Sequence, residues 1–185
     1  MNKINLDIRP VFRMLSINGK DIKIPRLGLK HHAILKDPND HEDAMKKLMA
    51  SIHPNLSAAE RDLVSLHLLA YNERLKHSVV IDGNTYTVDD VIINQKLRFN
   101  IGETEFKFKT PKLENLNATI PELLRSSCVS VKDGNGNPQE IPDFLQMPAY
   151  TYKWADDICS TIELRTSTGS VKGLYKLMEL FDGAA

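Results

Sequence analysis

The sequence predicts an α+β fold: a helix pair packed on small antiparallel β-hairpins, followed by a helical carboxyl-terminal segment. Three observations carry this. Ser57 with Glu60 three residues on has the spacing of a capping box, and it stands ahead of a long apolar helix. Tight-turn pairs, Asn18-Gly19, Asp82-Gly83 (or Gly83-Asn84) and Gly102-Glu103, each lie between short runs that read as strands. After residue 149, apolar residues fall at helical spacing, first Tyr152, Trp154, Ala155, Ile158 and Ile162, then Val171, Leu174, Leu177, Met178 and Phe181.

In chain order, residues 12–24 form an opening hairpin, Met14-Leu15-Ser16-Ile17 against Ile22-Lys23-Ile24 with Asn18-Gly19 as the turn. Leu27, Leu29, Ile34 and Leu35 fit a strand or a short helix equally, and Asp37-Pro38-Asn39-Asp40 ends whichever forms. Asp40 can cap a helix carrying Ala44, Met45, Leu48, Met49 and Ile52, with Glu42 and Asp43 at the positive end of its dipole. His53-Pro54-Asn55 breaks it. The Ser57 helix follows with Leu63, Val64, Leu66, Leu68, Leu69, Tyr71 and Leu75, a surface broader than one stripe, so it is covered on more than one side. Two helices with a short link make an αα-hairpin that can lie on a sheet.

The run from Val79 to Val88 is a hairpin, and so is Leu97, Phe99 and Ile101 returning through Phe106 and Phe108, where Glu105, Lys107 and Lys109 give a wet face opposite a buried one. Beyond Pro111, Leu113 and Leu116 lead to Thr119-Ile120-Pro121-Glu122, a second capping-box spacing with proline in the first turn, and a short helix through Leu123, Leu124 and Cys128. Residues 133–138 form a turn or loop, and Thr166-Ser167-Thr168-Gly169-Ser170 is a hinge between the last two helices. The expected organisation is an α+β domain at 1–112 and a mainly helical subdomain at 113–185.

With 24 Lys and Arg against 24 Asp and Glu, no overall field draws the chain to nucleic acid or to an anionic membrane. Apolar runs fall short of a membrane span, and Asp7, Arg9 and Arg13 interrupt any signal-peptide core, so an intracellular product is expected. Cys128 and Cys159 read as two reduced, buried residues rather than a disulfide framework.

The sequence holds no recognisable catalytic apparatus. Asp133, Asn135 and Asn137 have the alternate spacing of a calcium loop, but Pro138 stands where glycine is needed and Phe144 where a bidentate glutamate is needed. No two of the six histidines are paired at i, i+4, and no Cys-x-x-Cys completes a zinc site. His31 and His32 are adjacent and point apart in a strand, while His67 amid apolar residues reads as a hydrogen-bonded core histidine. There is no nucleophile elbow and no phosphate loop. Metal ligands, cofactors and catalytic residues are therefore expected to be none. Phe106-Lys107-Phe108-Lys109, together with Lys96 and Arg98, could form a single-strand-binding sheet face, although any half-buried strand alternates in this way.

The order Asn18-Gly19-Lys20-Asp21-Ile22-Lys23-Ile24, Leu56-Ser57-Ala58-Ala59-Glu60-Arg61-Asp62, His67-Leu68-Leu69, Ile81-Asp82-Gly83-Asn84-Thr85-Tyr86 and Phe106-Lys107-Phe108-Lys109-Thr110-Pro111 resembles the baseplate hub assembly proteins of T4-like bacteriophages. The resemblance covers roughly the first 115 residues. It implies a non-enzymatic component or assembly factor of a contractile tail's baseplate hub, working through contacts with other tail proteins in the host cytoplasm and in the virion baseplate. A nucleic-acid-binding accessory protein or a small enzyme is the alternative. The expected partner surface is Met147, Tyr150, Tyr152, Trp154, Tyr175 and Met178, since aromatic and thioether side chains favour interface centres when the core does not need them.

Overall fold

The computed structural model describes residues 11–29, 31, 41–111 and 118–183. His32, the stretch from Ile34 and Leu35 to the Asp40 cap, and Leu113 and Leu116 lie outside them, as does the 112/113 boundary expected between subdomains. The chain divides into two compact units, Met1–Asp90 with Met178–Ala185, and Val91–Leu177.

The first unit opens with β1 (Phe12–Ile17) and β2 (Lys20–Pro25), an antiparallel hairpin. Its turn residues Asn18 and Gly19 hold φ of 49° and 76°, the pair of positive values that matches a two-residue turn to the strand twist. Alternation turns Ile17, Ile22 and Ile24 inward. Helix α1 (His41–Ile52) packs on β2 and buries Ala44, Leu48 and Met49. Helix α2 (Ala58–Tyr71) packs on both strands and on the 3-10 turn Val88–Asp90.

Ser57 starts α2 as its spacing implies: Glu60 N–H donates to Ser57 Oγ at 3.2 Å, and Ser57 N–H donates to the Glu60 carboxylate at 2.8 Å. Lys20 Nζ donates to both oxygens of that buried carboxylate, at 2.9 and 2.8 Å, and to the Asn55 carbonyl at 3.0 Å, which ties the hairpin to the helix start. Lys20 first and the Ser57 N–H second hold the Glu60 carboxyl down to about 2. At the other end Asn72 caps the helix, its Nδ2 donating to the Leu68 and Pro25 carbonyls while its Oδ1 accepts from Leu27 N–H. The hairpin of β3 (Ser78–Ile81) and β4 (Asn84–Thr87) turns on Asp82 and Gly83, with φ of 48° and 78°, which decides between the two turn pairs open in the sequence.

The second unit holds two sheets. One has the order β6 (Arg98–Ile101), β7 (Thr104–Phe108), β8 (Cys128–Lys132), β9 (Pro138–Gln139). The other places β10 (Ile162–Thr166) between β5 (Val91–Ile93) and β11 (Gly169–Lys172). All pairings are antiparallel. Helices α3 (Ile120–Ser127) and α4 (Tyr152–Cys159) belong to this unit, and α5 (Leu174–Asp182) begins in it and ends in the first. The core gathers Phe99, Phe106, Phe108, Leu123, Leu124, Val131, Phe144, Trp154 and Ile158. Trp154 is its centre, stacked on Phe99 at 4.8 Å between centroids and meeting Phe106 at 5.2 Å and Phe108 at 5.9 Å.

This architecture overturns the expected helix pair on hairpins with a helical carboxyl-terminal segment. Among the described residues there are four sheets, and strands β8 to β11 lie in the third of the chain read as helical. Ile162, Leu164 and Val171 belong to strands. The supposed hinge is a hairpin turn, with Thr166 opposite Gly169 across Ser167 and Thr168. The helical spacing of Trp154, Ile158 and Ile162 is broken at Ser160, because β10 is a middle strand whose residues Ile162, Glu163 and Leu164 are all buried. Cys128 likewise opens β8 instead of closing a helix, paired with Phe108 across a register shift.

Candidate protein-interaction surface

Local sequence builds an open apolar groove in the second unit. Glu122 accepts from Thr119 N–H at 3.0 Å and from Thr119 Oγ1 at 2.7 Å, so α3 begins at Ile120 with Pro121 in its first turn, where the missing N–H costs nothing. Those two bonds hold the Glu122 carboxyl below the usual range. Asp143 Oδ1 accepts from Leu145 N–H at 3.0 Å and starts the 3-10 turn Phe144–Gln146. Pro148 leads into the 3-10 turn Ala149–Thr151, which runs on into α4. Between these pieces lies a groove of about 220 Å³, lined by Ile120, Pro121, Leu145, Met147, Pro148 and Tyr152 among others. Leu145 is 70% exposed, Tyr152 50% and Ile120 44%, so apolar groups face solvent here with the aromatic core behind them.

Of the residues expected to meet a partner, Met147 and Tyr152 line this groove. Tyr150, in the turn Ala149–Thr151, is 51% exposed. Trp154 is buried in the core beneath. Tyr175 stands 70% exposed on α5, and Met178, half-buried, belongs to the first unit. Sequence reading missed Ile120 and Leu145. No local signal marks them: Phe144, next to the capping Asp143, is buried, whereas Leu145 one residue on is exposed.

Among the described residues, the groups that the sequence offers for chemistry stand apart from one another. Burial pushes the Cys128 and Cys159 thiols up, away from the thiolate that nucleophilic attack needs. Among the described residues no group of three or more His, Cys, Asp or Glu can hold a metal ion. Asp133 spends its carboxylate on its own loop, accepting from the N–H groups of Asn135 and Asn137 and from the side chains of Asn137 and Gln139. His31 is buried and its Nδ1 accepts from Gly28 N–H at 3.0 Å. His67 is buried as expected but differs in its bonding: its Nδ1 has no hydrogen-bond partner. The nucleic-acid reading loses its stacking platform, because Phe99, Phe106 and Phe108 are all core residues; Lys96 lies over the Phe99 ring and Arg98 pairs with Glu105. No helix among the described residues is long and apolar enough to cross a membrane.

The comparisons with known proteins agree with a contact role. The family described as baseplate hub distal subunit matches residues 24–181. A baseplate hub assembly protein of Enterobacteria phage T4, gp28, is 38% identical over 169 residues, spanning 91% of this chain and 93% of that protein. No solved structure gives a significant match. With aligned residues running from β2 to the last turn of α5, through both units, the chain belongs to the baseplate hub distal subunit family.

Proposed function

We propose that this chain is a structural or assembly subunit of a phage tail's baseplate hub, acting without catalysis through contacts with other baseplate proteins. The observation that carries the reading is the family match across residues 24–181, which takes in both compact units. The chain works in the host cytoplasm while tails assemble and stays associated with the baseplate of the virion.

The groove beside α3 is the proposed contact, with Met147, Tyr150 and Tyr152 as contact residues, Ile120 and Leu145 beside them, and Trp154 as the buried support behind them. Tyr175 is a further exposed aromatic of the same unit, whereas half-buried Met178 offers little surface. Exposed Leu and Tyr over a rigid aromatic core suit an interface centre, since little side-chain freedom is left to lose on docking.

The test is a double substitution, Leu145→Ser with Tyr152→Ser, in a phage that makes no other copy of the protein. Mass spectrometry of purified hub intermediates and tails should find the wild-type chain and at least a tenfold loss of the variant, with an unchanged circular dichroism spectrum. Equal recovery of the variant would remove the groove from the interface. Absence of the wild-type chain from both fractions would remove the hub reading itself.

A further inference from the structure

In the first unit three side chains from separate elements converge on one carboxylate. Arg13 Nη2, from β1, lies 2.5 Å from Asp89 Oδ1. His77 Nε2, from the segment before β3, lies 3.4 Å from Asp89 Oδ2. His67, in the middle of α2, is 2% exposed and presents Nδ1 3.7 Å from Asp89 Oδ1. That gap is too long for a hydrogen bond, and the nitrogen makes no other. An orphaned polar atom inside a packed helix face is costly, and here it points at the same oxygen that Arg13 already occupies.

We propose that Asp89 is the pivot of an acid-operated switch in which protonated His67 takes the Asp89 oxygen held by Arg13 and frees the amino-terminal strand from the Val88–Asp90 turn. Three features of the site make the exchange one-directional. Protonation places an N–H on a nitrogen that now has no partner, and a charge-assisted bond to Asp89 satisfies both groups. It also sets a second cation, His67, beside Arg13 at a single carboxylate oxygen, with His77 at the other oxygen. Of the two that compete for Oδ1, His67 is fixed in a helix packed on β1, β2 and the turn, whereas Arg13 is 28% exposed at its side chain and can swing into water. Burial is the main force holding His67 neutral, with Arg13 and His77 adding to it and Asp89 opposing it; together they bring its pKa down to about 4. The exchange therefore belongs to acid conditions near pH 4 and is silent at neutral pH.

The experiment is a titration of the full chain from pH 7.5 to 2.5, following the imidazole signals of His67 and the guanidinium signals of Arg13 by NMR, with hydrogen exchange read separately over residues 12–17 and 58–71. The expected result is one midpoint for His67 protonation and for release of Arg13, with protection falling at least tenfold more in residues 12–17 than in 58–71. Arg13→Gln should give the low protection in residues 12–17 already at pH 7.5. His77→Gln should keep the transition, and His67→Gln, if it folds, should abolish it. Release of Arg13 at a midpoint unrelated to His67, an equal loss of protection in the two segments, or an Arg13 signal that does not change while His67 titrates would each overturn the proposal.

Discussion

At the scale of single residues, two buried titratable groups make stability depend on pH in two adjoining windows. His67 has an ordinary pKa of 6.5 and one of about 4 in the folded chain, so the unfolded chain binds more protons between those values. Its stabilising effect is complete above pH 6.5 and is lost as pH falls towards 4, on the order of 3 kcal/mol across the window. Glu60 acts lower: its carboxyl is held down from 4.5 to about 2, so its contribution is complete above 4.5 and fades as pH falls towards 2. Urea midpoints measured from pH 7.5 to 2 should fall in two successive stages, and Glu60→Gln should flatten the lower one alone. A single stage near pH 4 would contradict the separation. Lys20→Met should cost about 1–2 kcal/mol, less than the 3–5 kcal/mol of a fully buried pair, because solvent screens a lysine that is a third exposed. A loss below about half a kcal/mol in urea unfolding would show that Lys20 contributes no more than an ordinary surface pair.

At the scale of elements, helix α2 is held by its cap and by its buried face. Ser57→Ala should cost about 1 kcal/mol, since the Glu60 N–H would lose its acceptor. Leu68, 2% exposed, should cost about 2–5 kcal/mol on truncation to alanine. An unchanged denaturation midpoint in either variant would place the helix start or its packing elsewhere. In the second unit Trp154→Ala should cost about 3–5 kcal/mol, because the ring fills the space between Phe99, Phe106 and Phe108. The tyrosines near it in sequence should behave differently: Tyr150→Ala and Tyr152→Ala, at half-exposed positions, should shift the midpoint little. That contrast separates support from surface within one short stretch.

For the whole molecule, the informative question is what removal of residues 149–185 would do. The deleted stretch contains α4, β10, β11 and α5, including Trp154 and the middle strand of a sheet, and it takes Phe181 from the first unit. The truncated chain should therefore lose its cooperative transition in calorimetry, and its failure to join hub intermediates would say nothing about docking. The paired substitution at Leu145 and Tyr152 avoids that difficulty because both side chains are at least half exposed. A truncated chain that kept a sharp transition would show that the first unit is self-sufficient without Phe181.

What the sequence determined by itself is what short-range chemistry decides. Ser57 and Glu60, Thr119 and Glu122, and Asn18-Gly19 each act within four residues, so the two caps and the first hairpin's turn follow from stereochemistry alone, while local sequence placed the second hairpin's turn at Gly83 and left its partner, Asp82 or Asn84, to the structure. The family resemblance was legible for the same reason, since it rests on those motifs in their order. Tertiary structure decided the rest. Ile162 to Leu164 become a strand because β5, some seventy residues earlier, supplies one side of the ladder and β11 the other, which no local periodicity can announce. Of the residues proposed for contact, Met147, Tyr150 and Tyr152 lie at or near the surface, but the same composition describes Trp154, which the packing of three phenylalanines draws inside. Burial is a property of what the fold brings alongside a residue, and Ile120 and Leu145 became candidates only when α3 and the 3-10 turns were placed side by side.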